Sequence, residues 1–123
     1  FTKKGDLEVE ISSGRMSRLA GVSYSKTGAT GVHLGISTIA PLSSSTAHYH
    51  TNCETAIYVL EGSGLFLTGD ELSENNEISA GDFIYVPDGA FHKPINTSEK
   101  DPLVLIVARN TPTELVVELD QAD

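Results

Sequence analysis

The chain carries four histidines, and two of them stand one residue apart in AHYHTNCETAIYVLEG, residues 47–62. In an extended segment residues i and i+2 face the same side, so His48 and His50 project together while Tyr49 points away. Two neutral imidazoles placed in this way can share one cation. Glu54 follows after a short polar bend and brings a carboxylate within reach of a turn. A third imidazole comes from GDFIYVPDGAFHKPIN, residues 81–96. There Gly81 opens a strand, and Pro87 and Gly89 form a tight turn that delivers His92 to the start of the next strand. Imidazoles with a carboxylate, and no required thiolate, suit divalent Fe, Mn, Zn or Ni, with Cu less favoured. Four protein ligands, His48, His50, Glu54 and His92, would leave two adjacent positions on a six-coordinate ion for water, substrate or dioxygen. That opening is the condition for Lewis-acid or oxygen chemistry.

With those three histidines committed, His33 is the remaining imidazole for proton transfer. In GVHLGISTIA it shares a face with Gly35, Ser37 and Ile39, so His33 and Ser37 look into the interior if that face is the inner one. An ordinary strand histidine on the outer face is the alternative. Tyr24, Tyr58 and Tyr85 are further pocket candidates or core aromatics. Cys53, beside Glu54, is expected to be a bystander thiol.

The elements that must position these residues are strands. LEVEI (7–11), VHLGISTIA (32–40), AIYVL (56–60), LFL (65–67), FIYV (83–86), LVLIVA (103–108) and ELVVEL (114–119) are short and rich in β-branched or aromatic residues. Clusters such as SKTGATG, EGSG, SENN, SAGD and PDGA punctuate them, and only DELSE and NTPTEL could hold a helical turn. Many short strands with Gly/Pro punctuation predict an all-β sandwich or barrel with few or no helices. A length of 123 residues fits one domain with a real core.

A net charge of −9 repels phosphate backbones and anionic lipid, so neither nucleic acid nor a membrane is an expected partner. The opening FTKKGDLEVE shows no signal peptide, and the single cysteine fits a reducing compartment, so the cytoplasm is expected. There is no phosphate loop, nucleophile elbow or paired-cysteine motif. The apolar strands near the two termini are expected to meet a second copy and form a homodimer, because sheet edges need cover.

Taken together, the two segments resemble the paired motifs of the cupin superfamily, G-x5-H-x-H-x3,4-E-x6-G and G-x5-P-x-G-x2-H-x3-N. The second is matched at Gly81, Pro87, Gly89, His92 and Asn96, and the first at His48, His50, Glu54 and Gly62. The resemblance covers about residues 30–110 and is closest to small, single-domain RmlC-like cupins. It implies a double-stranded β-helix, or jelly-roll barrel, with segment 1–29 packing on the barrel or on a partner chain. It also implies one divalent metal held by His48, His50, Glu54 and His92, with Asn96 bonding to backbone. A small organic substrate would enter the barrel. Dioxygenase chemistry is the leading class, with isomerase or lyase chemistry, or simple ligand or metal binding, as alternatives. Arg15, Arg18, Lys26 and Arg109 are scattered in sequence, with no visible cluster for a sugar phosphate.

Two departures matter. The leading glycine of the first motif is missing, with Leu42 and Ser43 in its neighbourhood. Seven residues, not six, separate Glu54 from Gly62, so Thr55 occupies the usual carboxylate slot. A one-residue shift along a strand turns a side chain to the other face. Glu54 reaches the ion only if the chain bulges near Asn52–Thr55. Otherwise Thr55 points inward and the site is a three-histidine one.

Overall fold

A computed structural model describes residues 1–12, 14–112 and 116–118, with the backbone alone at position 50 and at 116–118. The strands are β1 (Glu8–Glu10), β2 (Met16–Val22), β3 (His33–Ile39), β4 (Ser43–Ser44), β5 (His48–His50) and β6 (Thr55–Glu61). They continue as β7 (Ser63–Thr68), β8 (Glu74–Ser79), β9 (Phe83–Val86), β10 (His92–Asn96), β11 (Leu103–Arg109) and β12 (Val116–Glu118). One sheet runs β1-β2-β3-β11-β6-β9, and the other β12-β5-β10-β7-β8, with β4 also on β10. All these pairings are antiparallel. This is the expected all-β jelly roll. The helical content among the described residues is one turn at Tyr24–Thr27 and two short 3-10 turns, one of them, Asp70–Leu72, inside the anticipated DELSE.

The alternation that marks the strands also builds the core. Along β3 the inner residues His33, Gly35, Ser37 and Ile39 are buried while Leu34 is exposed. Ile39, Ile57, Val59, Phe66, Leu103, Leu105 and Val107 interdigitate between the sheets, and each such side chain contributes about 1.5–3 kcal/mol on burial. Gly62, at the corner between β6 and β7, has φ +87°, and a Cβ there would lie 2.4 Å from the Pro102 carbonyl oxygen. Only glycine fits that approach.

Two strands depart from the sequence reading. Met16–Val22 was not anticipated because Arg18 and Gly21 interrupt its apolar alternation, yet Met16, Arg18 and Ala20 are the residues that pair with inner positions of β3. Glu74–Ser79 reads as a turn by composition, and only Ile78 of it is buried, but it pairs along the whole of β7 as an edge strand. At the C-terminus, Val116–Glu118 is the described part of ELVVEL and pairs with β5; the rest of that run lies outside the described residues. Strands β1 and β12 both lie at sheet edges. No helix among the described residues is long and apolar enough to cross a membrane.

Candidate functional site

Strand β10 places His92 directly opposite His48 of β5. The two rings meet edge-on with centroids 4.2 Å apart, and His92 stacks on Phe66 at 5.8 Å. The Pro87–Ala90 turn, closed by the Ala90 N–H on the Pro87 carbonyl at 3.2 Å, needs its left-handed third residue, and Gly89 supplies it at φ +77°. That same turn offers the Ala90 carbonyl to His92 Nδ1 at 3.1 Å, and the Thr46 carbonyl takes His48 Nδ1 at 2.8 Å. A carbonyl only accepts, so both rings hold a proton on Nδ1. In the neutral form the lone pair is then on Nε2, the tautomer a metal ion requires, with the ring orientation fixed by the second bond.

Both histidines line a cavity of about 460 Å³ between the sheets. Its apolar wall includes Met16, Ile57, Phe66, Pro94, Leu105 and Val107, and its polar wall Glu10, Arg18, Ser37, Thr55 and Arg109. Met16, Glu10, Arg18 and Arg109 were missed by the sequence reading. The signals were weak: the alternation in LEVEI suggests its apolar residues as the buried set. In the structure Val9 and Ile11 are 79% and 93% exposed, while Glu10 carries the contacts to the interior.

Of the four expected ligands, the structure brings His48 and His92 together. His50 continues β5, but its side chain lies outside the described residues. Glu54 is not brought to the pair. It is exposed on the outer face, where Tyr85 Oη donates to Oε1 at 2.5 Å and Asn110 Nδ2 to Oε2 at 3.4 Å. The hydrogen bond to Glu54 first, then desolvation and the carboxylate's charge, hold the Tyr85 phenol above its ordinary range. The physical reason is register: Thr55 pairs with Val86 and Arg109 on the inner face, so its predecessor turns outward. Thr55 is 2% exposed, and its Oγ1 is buried with no hydrogen-bond partner among the described residues. Among the described residues no group of three or more His, Cys, Asp and Glu side chains is placed around one point. The two anchored imidazoles nevertheless fit a divalent ion by tautomer and by their shared place in the cavity wall.

His33 faces the interior and is 3% exposed, but it does not line the large cavity. It reaches that space through Glu10, to whose two carboxylate oxygens Nε2 lies at 3.0 and 3.1 Å. The carboxylate accepts, so Nε2 donates. The cavity-facing acid–base group on this side is therefore Glu10, with His33 behind it. Tyr24 and Tyr85 are exposed, and Tyr58 packs on Phe83, so none of the three lines the cavity. Cys53 is buried away from it. Asn96 does what was expected, donating to the Ile39 and Asp101 carbonyls at 2.9 and 2.8 Å and accepting from the Ser98 N–H.

The fold has solved relatives. A polyketide cyclase, RemF from Streptomyces resistomycificus, aligns over 98% of this chain and 87% of its own, at 24% identity and a TM-score of 0.76. A sugar phosphate isomerase of the cupin superfamily from Silicibacter pomeroyi aligns over 98% of this chain and 82% of its own, at 22% identity and a TM-score of 0.73. Oxalate decarboxylase from Lactobacillus farciminis aligns over 94% of this chain and 34% of its own, at 19% identity and a TM-score of 0.79. At these identities the likeness concerns the fold. No curated protein matches the chain. The family model for the cupin domain matches residues 35–109, from the inner face of β3 to the last residue of β11 and so through both histidine segments. The chain belongs to the cupin family.

Proposed function

We propose that the protein is a metal-dependent cupin enzyme that acts on a small organic molecule in the cavity, with oxidative cleavage of dioxygenase type as the leading reaction. The observation that carries this reading is the anchoring of His48 and His92 by Nδ1 at the wall of a 460 Å³ cavity. His48, His92 and His50 would hold one divalent ion, Fe, Mn, Zn or Ni. When bound, such an ion supplies Lewis acidity to a substrate oxygen. Around it, Ile57, Phe66, Leu105 and Val107 exclude water and pack the apolar part of the substrate. Glu10, oriented by His33, takes or returns a proton at its carboxylate.

A second reading, isomerase or lyase chemistry on an oxygenated substrate, is favoured by Glu10 itself. A carboxylate in the cavity wall can shuttle a proton between neighbouring carbons with no oxidant. The sugar phosphate isomerase among the structural relatives supports keeping it. Metal analysis of protein purified without added metal, followed by an oxygen-electrode screen against small aromatic and hydroxy-acid compounds, separates the readings. Oxygen uptake with stoichiometric product supports the dioxygenase reaction, and turnover without oxygen supports the isomerase or lyase. Metal without any turnover returns the protein to a binding role. We place its work in the cytoplasm, as the acidic single-cysteine chain suggests.

A further inference from the structure

Along β6 the side chains of Thr55, Ile57 and Val59 face inward, and all three are buried. Ile57 and Val59 are aliphatic, as a core wall requires. Thr55 carries a hydroxyl instead, although valine has nearly its shape and buries no polar group. At Asn96, Ser23 and Ser45 the fold satisfies what it buries. Asn96 makes three hydrogen bonds, Ser23 Oγ accepts from the Lys26 N–H at 3.0 Å, and Ser45 Oγ donates to the Thr46 carbonyl at 3.2 Å. Thr55 Oγ1 has no such partner among the described residues. A buried polar atom left over in this way calls for a partner from outside the chain.

Strand register shows which partner can reach it. One row of the inner face runs Val86, Thr55, Arg109, His33 across β9, β6, β11 and β3. His33 Nδ1 is also buried with no hydrogen-bond partner among the described residues. His33, however, lines a small crevice behind the cavity, with Glu10 and Gly35, whereas Thr55 lines the cavity itself with His48 and His92. A molecule in the cavity therefore meets Thr55 and not His33. The next row, Ile84, Ile57 and Val107, is aliphatic, and Ile57 and Val107 line the cavity too. Two residues along a strand span about 7 Å, so the wall passes from a hydrogen-bonding group to an apolar surface within the length of a small molecule.

We infer that Thr55 is a ligand-binding residue, whose hydroxyl pairs with a hydroxyl or carbonyl oxygen of a small organic molecule lying with its apolar part on Ile57, Phe66 and Val107. A hydroxyl both donates and accepts, so it serves either group. Oγ1 and the methyl share one carbon, and a step between staggered χ1 wells brings the hydroxyl to the ligand. The hydroxyl destabilises the free protein and is satisfied on binding, which accounts for its place in an otherwise aliphatic strand face. Any oxygen that the molecule offers to a divalent ion at His48 and His92 is met from the second sheet, since β5 and β10 belong there and β6 to the first. The two contacts are separate. The inference rests on reading the cavity as the substrate site, and it deepens that reading by naming the class of the substrate, oxygenated at one end and apolar beyond.

The test uses benzyl alcohol and toluene, which differ by one hydroxyl, titrated into the full chain and followed by ligand-observed NMR. One sample is used as purified, with its metal measured, and one after chelation. Benzyl alcohol is expected to bind about threefold to tenfold more tightly than toluene in both, the scale of one neutral hydrogen bond. Thr55→Val should abolish or reverse that preference while toluene affinity holds, and Thr55→Ser, which keeps the hydroxyl, should retain it. Thr55→Ala gives the same reading should valine disturb the packing, and circular dichroism identifies a variant that has not folded. Toluene binding as tightly as benzyl alcohol in the parent overturns the inference. So does a preference lost on chelation, or unchanged in folded Thr55→Val protein, since the ion alone would then hold the oxygen and the metal enzyme would stand without this contact. A Thr55-dependent preference in a chain that never holds metal would contradict the proposed metal enzyme and leave the Thr55 contact in place.

Discussion

Replacing Thr55 by Val should stabilise the protein, an unusual outcome for a polar residue in the wall of a functional cavity. Thr55 is 2% exposed, and its Oγ1 is buried with no hydrogen-bond partner among the described residues. A buried hydroxyl left unpaired costs about 1–3 kcal/mol. Valine has nearly the same shape and suits a strand flanked by Val86 and Arg109. The gain expected at the lower part of that range is about 1–2 kcal/mol. Unfolding entropy near 2.1 cal/mol/K per residue, taken over this chain, is roughly 0.26 kcal/mol/K, so each kcal/mol moves Tm by about 4 °C. Scanning calorimetry should therefore show Thr55→Val melting about 4–8 °C above the parent. Thr55→Ala, which also removes a methyl group, should gain less or lose. A Thr55→Val protein that melts at or below the parent would refute the reasoning, because the hydroxyl must then be satisfied.

Three further outcomes follow from the same geometry. Leu42, in the slot where the first motif has its glycine, holds φ +53° and is 67% exposed; a left-handed L-residue costs about 1–2 kcal/mol and glycine returns about 0.5–1 of that through the unfolded chain. Leu42→Gly should thus raise stability in urea by about 0.5–1 kcal/mol, and a loss would contradict the strain. Tyr85 should ionise above the ordinary phenol value of about 10, since Glu54 raises it. Its folded value being raised, the stability it contributes is present below pH ~10 and lost as pH climbs through that value. Absorbance titration near 295 nm, assigned by difference from Tyr85→Phe, should show Glu54→Gln shifting the phenol back down; no shift would mean Glu54 is elsewhere. Finally, we expect a homodimer. The outward residues Leu34, Ile36, Tyr58, Phe83 and Tyr85 form an apolar stretch on the outer face of the first sheet, with Phe83 81% exposed and Glu54 at its edge beside Tyr85; a second copy would cover it. Light scattering should give a dimer that Phe83→Asp converts to monomer, and a monomeric parent would contradict it.

The parts of the fold legible in the sequence are those in which local pattern and final environment agree. Strands such as LVLIVA and FIYV follow from β-branched and aromatic runs, and the Pro87–Gly89 turn follows from residue chemistry that needs no tertiary context. His48 and His92 were readable because period-two spacing and a turn determine where each imidazole sits. Glu54 was not, because one extra residue before Gly62 reverses the facing, and spacing alone does not tell a bulge from a shift. The pairing of β6 with β9 and β11 decides it, placing Thr55 inside. Glu10, Arg18 and Arg109 were hidden for another reason. Their proximity arises from pairing between β1, β2, β3 and β11, contacts of long sequence separation that no local window contains. His33 shows both sides: alternation correctly allowed an inward face, but only the pairing reveals Glu10 between it and the cavity.

The most direct test is the metal content of the purified chain, measured by mass spectrometry on protein kept from chelators and acid, together with its single variants. About one divalent ion per chain is expected in the parent and in Glu54→Gln, with loss in His48→Ala, His50→Ala and His92→Ala, because the neutral imidazoles of His48 and His92, fixed by their Nδ1 bonds, would hold it together with His50. A parent that contains no metal and takes none up, or metal lost in Glu54→Gln but kept in His92→Ala, would contradict the site described.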